Sequence, residues 1–149
     1  MTEDETRWCA KLAECCDLTR ATDFDLYLEC IAELKASKDP SILRHMLRCL
    51  RDTDAGEIQY ELVEACESYP VEMYLDMLLD EGEEMSRVSA MWFQLMFQSV
   101  LNSQQCRALA VERIRQFPDP GRQFYAAYIK EISLESPKYE AALDEIEMR

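Results

Sequence analysis

Apolar residues recur at three- and four-residue steps along almost the whole chain, the spacing of a helix face, and no stretch keeps the two-residue alternation of a half-buried strand. The pattern predicts a first helix from Glu3 to Asp17 with Trp8, Leu12 and Cys15 inward, then a second, capped by Thr22, carrying Phe24, Tyr27, Leu28, Ile31 and Leu34. Asp39 and Pro40 are an N-cap and first-turn pair ahead of a third helix with Ile42, Leu43, Met46, Leu47 and Leu50 on one side. Asp54 is expected to open a fourth, in which Ile58, Leu62, Ala65, Cys66 and Tyr69 form a face about 100° wide. Pro70 starts a fifth with Val71, Tyr74, Leu75, Leu78 and Leu79, which Gly82 is placed to end.

A sixth helix, from Glu84 to Leu101, is apolar nearly all round (Val88, Met91, Trp92, Phe93, Leu95, Met96, Phe97, Val100, Leu101), which predicts a central position. Ser103 caps a seventh with Cys106, Leu109, Ala110, Ile114 and Phe117, stopped by a Pro118-Asp119-Pro120 turn. Phe124, Tyr128, Ile129 and Ile132 mark an eighth, and Ser136-Pro137 opens a short ninth with Tyr139, Leu143 and Ile146. Nine helices with such short connections pack largely antiparallel to their neighbours. The expected fold is therefore all-α, as an irregular HEAT-like array of paired helices or a compact bundle, in one domain spanning residues 1–149.

Composition agrees: with 3 Gly and 5 Pro in 149 residues there is little material for hairpins or long loops. The acidic N-terminus has no secretory pattern, and the longest apolar-rich stretch, Val88 to Leu101, is too short to span a bilayer. The 7 cysteines are odd in number, lack C-x-x-C spacing and fall mostly on apolar helix faces. They read as core residues and free thiols, which favours a reducing, cytoplasmic setting.

Charge changes the picture. The formal net charge is -14, and between Arg51 and Arg87 there is no Lys or Arg at all. That block holds Asp52, Asp54, Glu57, Glu61, Glu64, Glu67, Glu72, Asp76, Asp80, Glu81, Glu83 and Glu84. At 100° per residue, Glu57, Glu61, Glu64 and Glu67 share an arc of the fourth helix away from its apolar face, and Glu72, Asp76, Asp80 and Glu83 do so on the fifth. Like charges at i,i+4 repel by a few tenths of a kcal/mol per pair, so a face shaped for stability alone would intersperse Lys. A single-sign face can be a plain solubility feature. It also speeds encounter with a basic partner and repels nucleic acid and anionic lipid. The candidate partner-binding residues are Asp52, Asp54, Glu57, Glu61, Glu64, Glu67, Glu72, Asp76, Asp80 and Glu83.

No catalytic constellation stands out. His45 is the single histidine, which excludes an H-E-x-x-H zinc motif, and glycines only at 56, 82 and 121 provide no phosphate-cradling loop. Asp76 to Glu84 does not match EF-hand spacing, so neither metal nor cofactor is expected. The abundant carboxylates lie on helix faces where pKa tuning by burial is lacking.

The segment Leu50 to Phe117 resembles the immunity protein 30 family of bacterial polymorphic toxin systems. The residues that carry the resemblance are Arg51-Asp52-Thr53-Asp54, Glu67-Ser68-Tyr69, Tyr74-Leu75, a Trp in the sixth helix, and Val100-Leu101-Asn102-Ser103. It implies a small helical cytosolic antidote that binds one toxin domain and blocks it by occlusion, without chemistry of its own. A basic toxin domain would find in the acidic face an anionic substitute for nucleic acid. An acidic helical scaffold joining cellular proteins is the alternative, discriminated by modest affinity for several partners. An enzyme using surface carboxylates and a metal is a third, discriminated by metal content.

Overall fold

The computed structural model describes residues 1–147, and among them the chain is all-α, with no strand. The helices are α1 (Glu3–Cys15), α2 (Ala21–Leu34), α3 (Pro40–Arg48), α4 (Gly56–Glu67), α5 (Val71–Val88), α6 (Ala90–Asn102), α7 (Gln104–Gln116), α8 (Asp119–Glu135) and α9 (Glu140–Glu147), with a 3-10 turn at Pro137–Tyr139. The chain divides into two compact units, one of residues 1–94 and one beginning at Leu95.

In the first unit α1 and α2 pair as a hairpin, α3 packs on α5 and α1, and α4 packs on α2 and α3. The apolar stripes read from the sequence meet here: Leu12, Tyr27, Leu34, Leu43, Met46, Leu47 and Leu62 are fully buried. Each buried Leu or Met of this set stabilises by roughly 1.5–3 kcal/mol relative to exposure. In the second unit α7, α8 and α9 pack on one another. Its core is aromatic: Phe117 stacks on Tyr125 with centroids 5.8 Å apart, and Phe97 meets the same Tyr125 at 5.5 Å. The Tyr139 hydroxyl donates to Asn102 Oδ1 at 3.2 Å.

Several helix ends depart from expectation, each for a local reason. Thr22 does not cap α2; it is an exposed residue inside the helix, and the Asp23 carboxylate instead accepts the Arg20 backbone N–H at 2.9 Å. A carboxylate three residues into a helix reaches back to the amide of the residue before it, so the helix is closed at Arg20, ahead of Thr22. Asp54 does not open α4, which starts at Gly56 after Ala55, because a buried glutamine supplies the bonds of that turn. Gly82 does not end α5. It is buried, its φ is not in the left-handed region, and the helix runs on to Val88. The break falls at Ser89, whose φ of -138° and ψ of 55° leave helical space, so α6 begins at Ala90 rather than Glu84. Pro118-Asp119-Pro120 is not a free turn, since Asp119 and Pro120 already form the first turn of α8.

Several apolar assignments also change. Leu28 on α2 and Val71 at the start of α5 are exposed, Val88 is an exposed residue at the end of α5, and α6 is not buried all round, because Met91 and Leu95 on it are about half exposed (51% and 46%). By contrast the caps at Asp39 and Ser103 form as the sequence predicts: Asp39 Oδ1 accepts the Ser41 N–H at 2.8 Å and Ser103 Oγ accepts that of Cys106 at 3.3 Å.

Candidate partner-binding face

The acidic turn that leads into α4 is organised from within. Gln59 is fully buried, and its amide accepts the Arg51 N–H at 3.1 Å while donating to Thr53 Oγ1. Thr53 Oγ1 in turn accepts the Ala55 N–H at 3.2 Å. The carbonyl of Arg51 takes the Trp92 indole N–H at 2.9 Å, and the Asp52 carboxylate accepts the Met91 N–H at 3.2 Å, close to the start of α6. Asp52 therefore has a capping role that opposes the α6 macrodipole with a negative charge. A buried polar side chain that satisfies two turns at once fixes their shape. Asp54 and Glu57 are left on the outside of it, both exposed.

Along α4 the exposed residues are Glu57, Tyr60, Glu61, Glu64 and Glu67, one side of the helix with an aromatic ring among the acids. Among the described residues none of these four glutamates makes an ion pair. Glu67 is pushed above the usual carboxylate range, first by partial burial and then by the charge of Glu64.

On α5 the row is different. Glu72, Asp76, Asp80, Glu83 and Glu84 are exposed, but Glu81 is buried, at 6% exposure. Arg48 of α3 grips Glu81 through two bonds, Nε to Oε2 at 2.8 Å and Nη2 to Oε1 at 3.1 Å. Arg44 reaches Glu81 Oε1 at 3.2 Å and Asp80 Oδ2 at 3.6 Å. Glu81 raises the Arg48 pKa above its ordinary value, by hydrogen bonding first. Asp80 is pushed upward: burial is the largest cause, Arg44 works against it, and the charges of Asp76 and Glu81 add to it. Glu84 pairs with Arg87 one turn on. A stretch without bases in sequence is thus partly neutralised in space, by arginines of another helix.

Beside the N-terminal end of α4 lies a groove of about 710 Å³, lined by Leu18, Phe24, Thr53, Asp54, Ala55, Gly56, Glu57 and Ile58. Leu18, Phe24, Ala55 and Ile58 give it apolar lining, and among the described residues no base lines it. Leu18 holds a φ of 53°, in the left-handed region that a leucine rarely adopts, where the chain turns out of α1.

Of the ten acids expected to bind a partner, Glu57, Glu61, Glu64 and Glu67 lie along α4 and Asp54 beside its start. Glu72, Asp76 and Glu83 are on the exposed side of α5, Asp80 faces Arg44, and Asp52 caps α6. Sequence reasoning missed Tyr60, the groove, and the two arginines. Tyr60 was legible, since it falls outside the apolar stripe of α4. The arginines stand at i,i+4 on α3, a signal of a charged stripe with no indication of which helix it meets.

Among the described residues no group of three or more His, Cys, Asp or Glu is placed to hold a metal ion, and His45 is exposed on α3. The seven cysteines are free thiols; six are buried and Cys106 is half-buried. No described helix is long and apolar enough to cross a membrane.

Compared with curated proteins and with solved structures, the chain finds no match. The sequence profile described as immunity protein 30 matches residues 14–109, which takes in α2 to α6, the 51–54 turn, both acidic rows and the groove. That match begins well before the segment from which the resemblance was read and covers more than half of the chain. The chain belongs to the immunity protein 30 family.

Proposed function

We propose that this immunity protein binds a cognate toxin domain through its acidic helical surface and neutralises it by occlusion, with no chemical step of its own. The observation that carries the reading is the α4 row: Glu57, Glu61 and Glu64 are exposed, form no ion pair among the described residues and have no base on their own helix. Uncompensated charge of one sign costs stability, so its retention on one side of one helix favours a partner that supplies the opposite sign. On α5, Arg44 and Arg48 already answer Asp80 and Glu81, which moves the weight of the proposed site toward α4.

Opposite potentials steer encounter and set specificity, while a central apolar anchor supplies most of the affinity. Tyr60, 46% exposed within the row, is such an anchor in the right place. The toxin in this reading is basic, and the protein works where that toxin would reach its target, in the cytoplasm. The test is co-expression with the C-terminal toxin domain encoded by the adjacent reading frame: the immunity protein protects the cells and co-purifies with the domain as a complex. A toxin inhibited without any stable complex would sink the occlusion mechanism.

A further inference from the structure

The groove beside the start of α4 offers more than charge. Leu18, Phe24, Ala55 and Ile58 give it apolar lining, Asp54 and Glu57 add two carboxylates, and a volume of about 710 Å³ accommodates a side chain on the tip of a partner's loop. The N-terminus of α4 contributes a partial positive charge of about +0.5, which by itself would favour an anion. Two full negative charges outweigh it, leaving about -1.5 in a site that no described base lines. Placing acids at a helix start stabilises the helix whether or not anything binds. The apolar concavity beside them is what a purely helix-stabilising arrangement does not require.

We propose that this groove is the socket for an arginine side chain of the toxin domain. The aliphatic stem lies on the apolar floor, and the planar guanidinium is held by Asp54 and Glu57 with Phe24 as a stacking surface. Arginine fits better than lysine because its flat, weakly hydrated cation stacks on a ring and bonds two carboxylate oxygens at once. The inference rests on the acidic-face reading above and adds to it one occupant at one place.

Gly56 provides a handle, because a Cβ built there meets nothing within 4 Å. A side chain at that position starts in open space on the lining of the groove, and a bulky one is expected to occupy it. The experiment is an NMR titration of the full chain with n-butylguanidinium, with n-butanol and n-butylammonium as comparison probes. Saturable shifts of the amides of residues 54–58 are expected with n-butylguanidinium. The combined Asp54→Asn and Glu57→Gln changes should weaken that binding at least about fivefold, the scale of losing one partly exposed charge contact. Gly56→Phe should abolish it while the remaining spectrum is kept.

Equal binding of n-butanol, equal or tighter binding of n-butylammonium, or no saturable shift at residues 54–58 overturns the arginine socket. The parent reading is judged separately with the toxin domain from the adjacent frame. If Gly56→Phe leaves toxin affinity unchanged while charge reversal of Glu61 and Glu64 destroys it, the acidic face stands and the socket falls. If neither change matters, both fall.

Discussion

Glu81 and Arg48, 33 residues apart in sequence, form a two-bond ion pair in which the carboxylate is buried and the arginine lies across it. The pair joins α5 to α3 and takes one acid out of the block that looks uniformly exposed in sequence. Removing the arginine of such a pair leaves the buried carboxylate short of a partner, which is worse than never having built the pair. Arg48→Ala is expected to destabilise the chain by about 1–3 kcal/mol, less than for a dry pair because Arg44 still reaches Glu81. Chemical denaturation checks this, and a change below ~0.5 kcal/mol would mean that water and Arg44 replace the Arg48 guanidinium at no cost.

Much of the fold was legible because helix periodicity is a local signal. The stripes at Ile42, Leu43, Met46 and Leu47 and at Tyr74, Leu75, Leu78 and Leu79 are buried as their spacing predicts. What was not legible depends on contacts distant in sequence. Gly82 looked like a helix end because glycine ends helices when it adopts a left-handed φ, and here packing keeps α5 running through it. The acidic rows followed from the 100° rule, whereas their partial neutralisation by Arg44 and Arg48 required knowing that α3 lies on α5. Gln59 gave no sign of its role, since a lone glutamine on a helix is usually solvated.

Trp92→Ala should destabilise by roughly 3–5 kcal/mol, the range for losing a buried large aromatic. The ring is 4% exposed, and its indole N–H holds the Arg51 carbonyl at 2.9 Å. Trp92→Phe keeps most of the volume and loses the bond, so it isolates a smaller cost of about 1 kcal/mol. Equal losses in the two variants would show that the hydrogen bond, not the volume, dominates.

Asp23 should make the stability of the chain depend on acid. The Arg20 guanidinium, helped by the Arg20 N–H and Thr19, holds its carboxyl below the usual range against the effect of burial. A carboxyl with a lowered folded-state pKa contributes stability that is fully present above the unfolded value near 4 and is lost as pH falls through the lower folded value. Asp23→Asn should therefore flatten the fall in denaturation midpoint over that acid window and change the midpoint little in its pH dependence at neutrality. An unchanged acid slope would show that other carboxyls carry it.

The thiols divide by access. Six of seven are buried, so a neutral alkylating reagent should modify Cys106 first in the native protein, and Cys106→Ser should remove that fast phase. After denaturation without reductant all seven are expected to react, since none is bridged. Mass spectrometry of the labelled protein reads both. A fast phase that survives Cys106→Ser would mean that part of the first unit opens readily.

The acidic rows should differ in what they do for the proposed toxin complex. Among the described residues Glu57, Glu61 and Glu64 form no ion pair, whereas Asp80 on α5 faces Arg44 at 3.6 Å, so the field of α5 is weaker than its sequence suggests. Charges on exposed faces act over about 8 Å at physiological ionic strength, so their signature is an association rate that drops steeply with salt while dissociation changes less. Reversing Glu57, Glu61 and Glu64 to lysine should lower the on-rate by about tenfold or more, flatten its salt dependence and abolish protection of toxin-expressing cells. Reversing Glu72, Asp76 and Asp80 should act in the same direction with smaller effect. Matched reversals of Glu140, Asp144 and Glu145, exposed on α9, are the control and should leave both readouts unchanged. Circular dichroism on each variant separates lost binding from lost helix. If the α9 variant fails to protect while the α4 variant protects fully, the partner binds elsewhere and the α4 row is a solvated surface with no role in recognition.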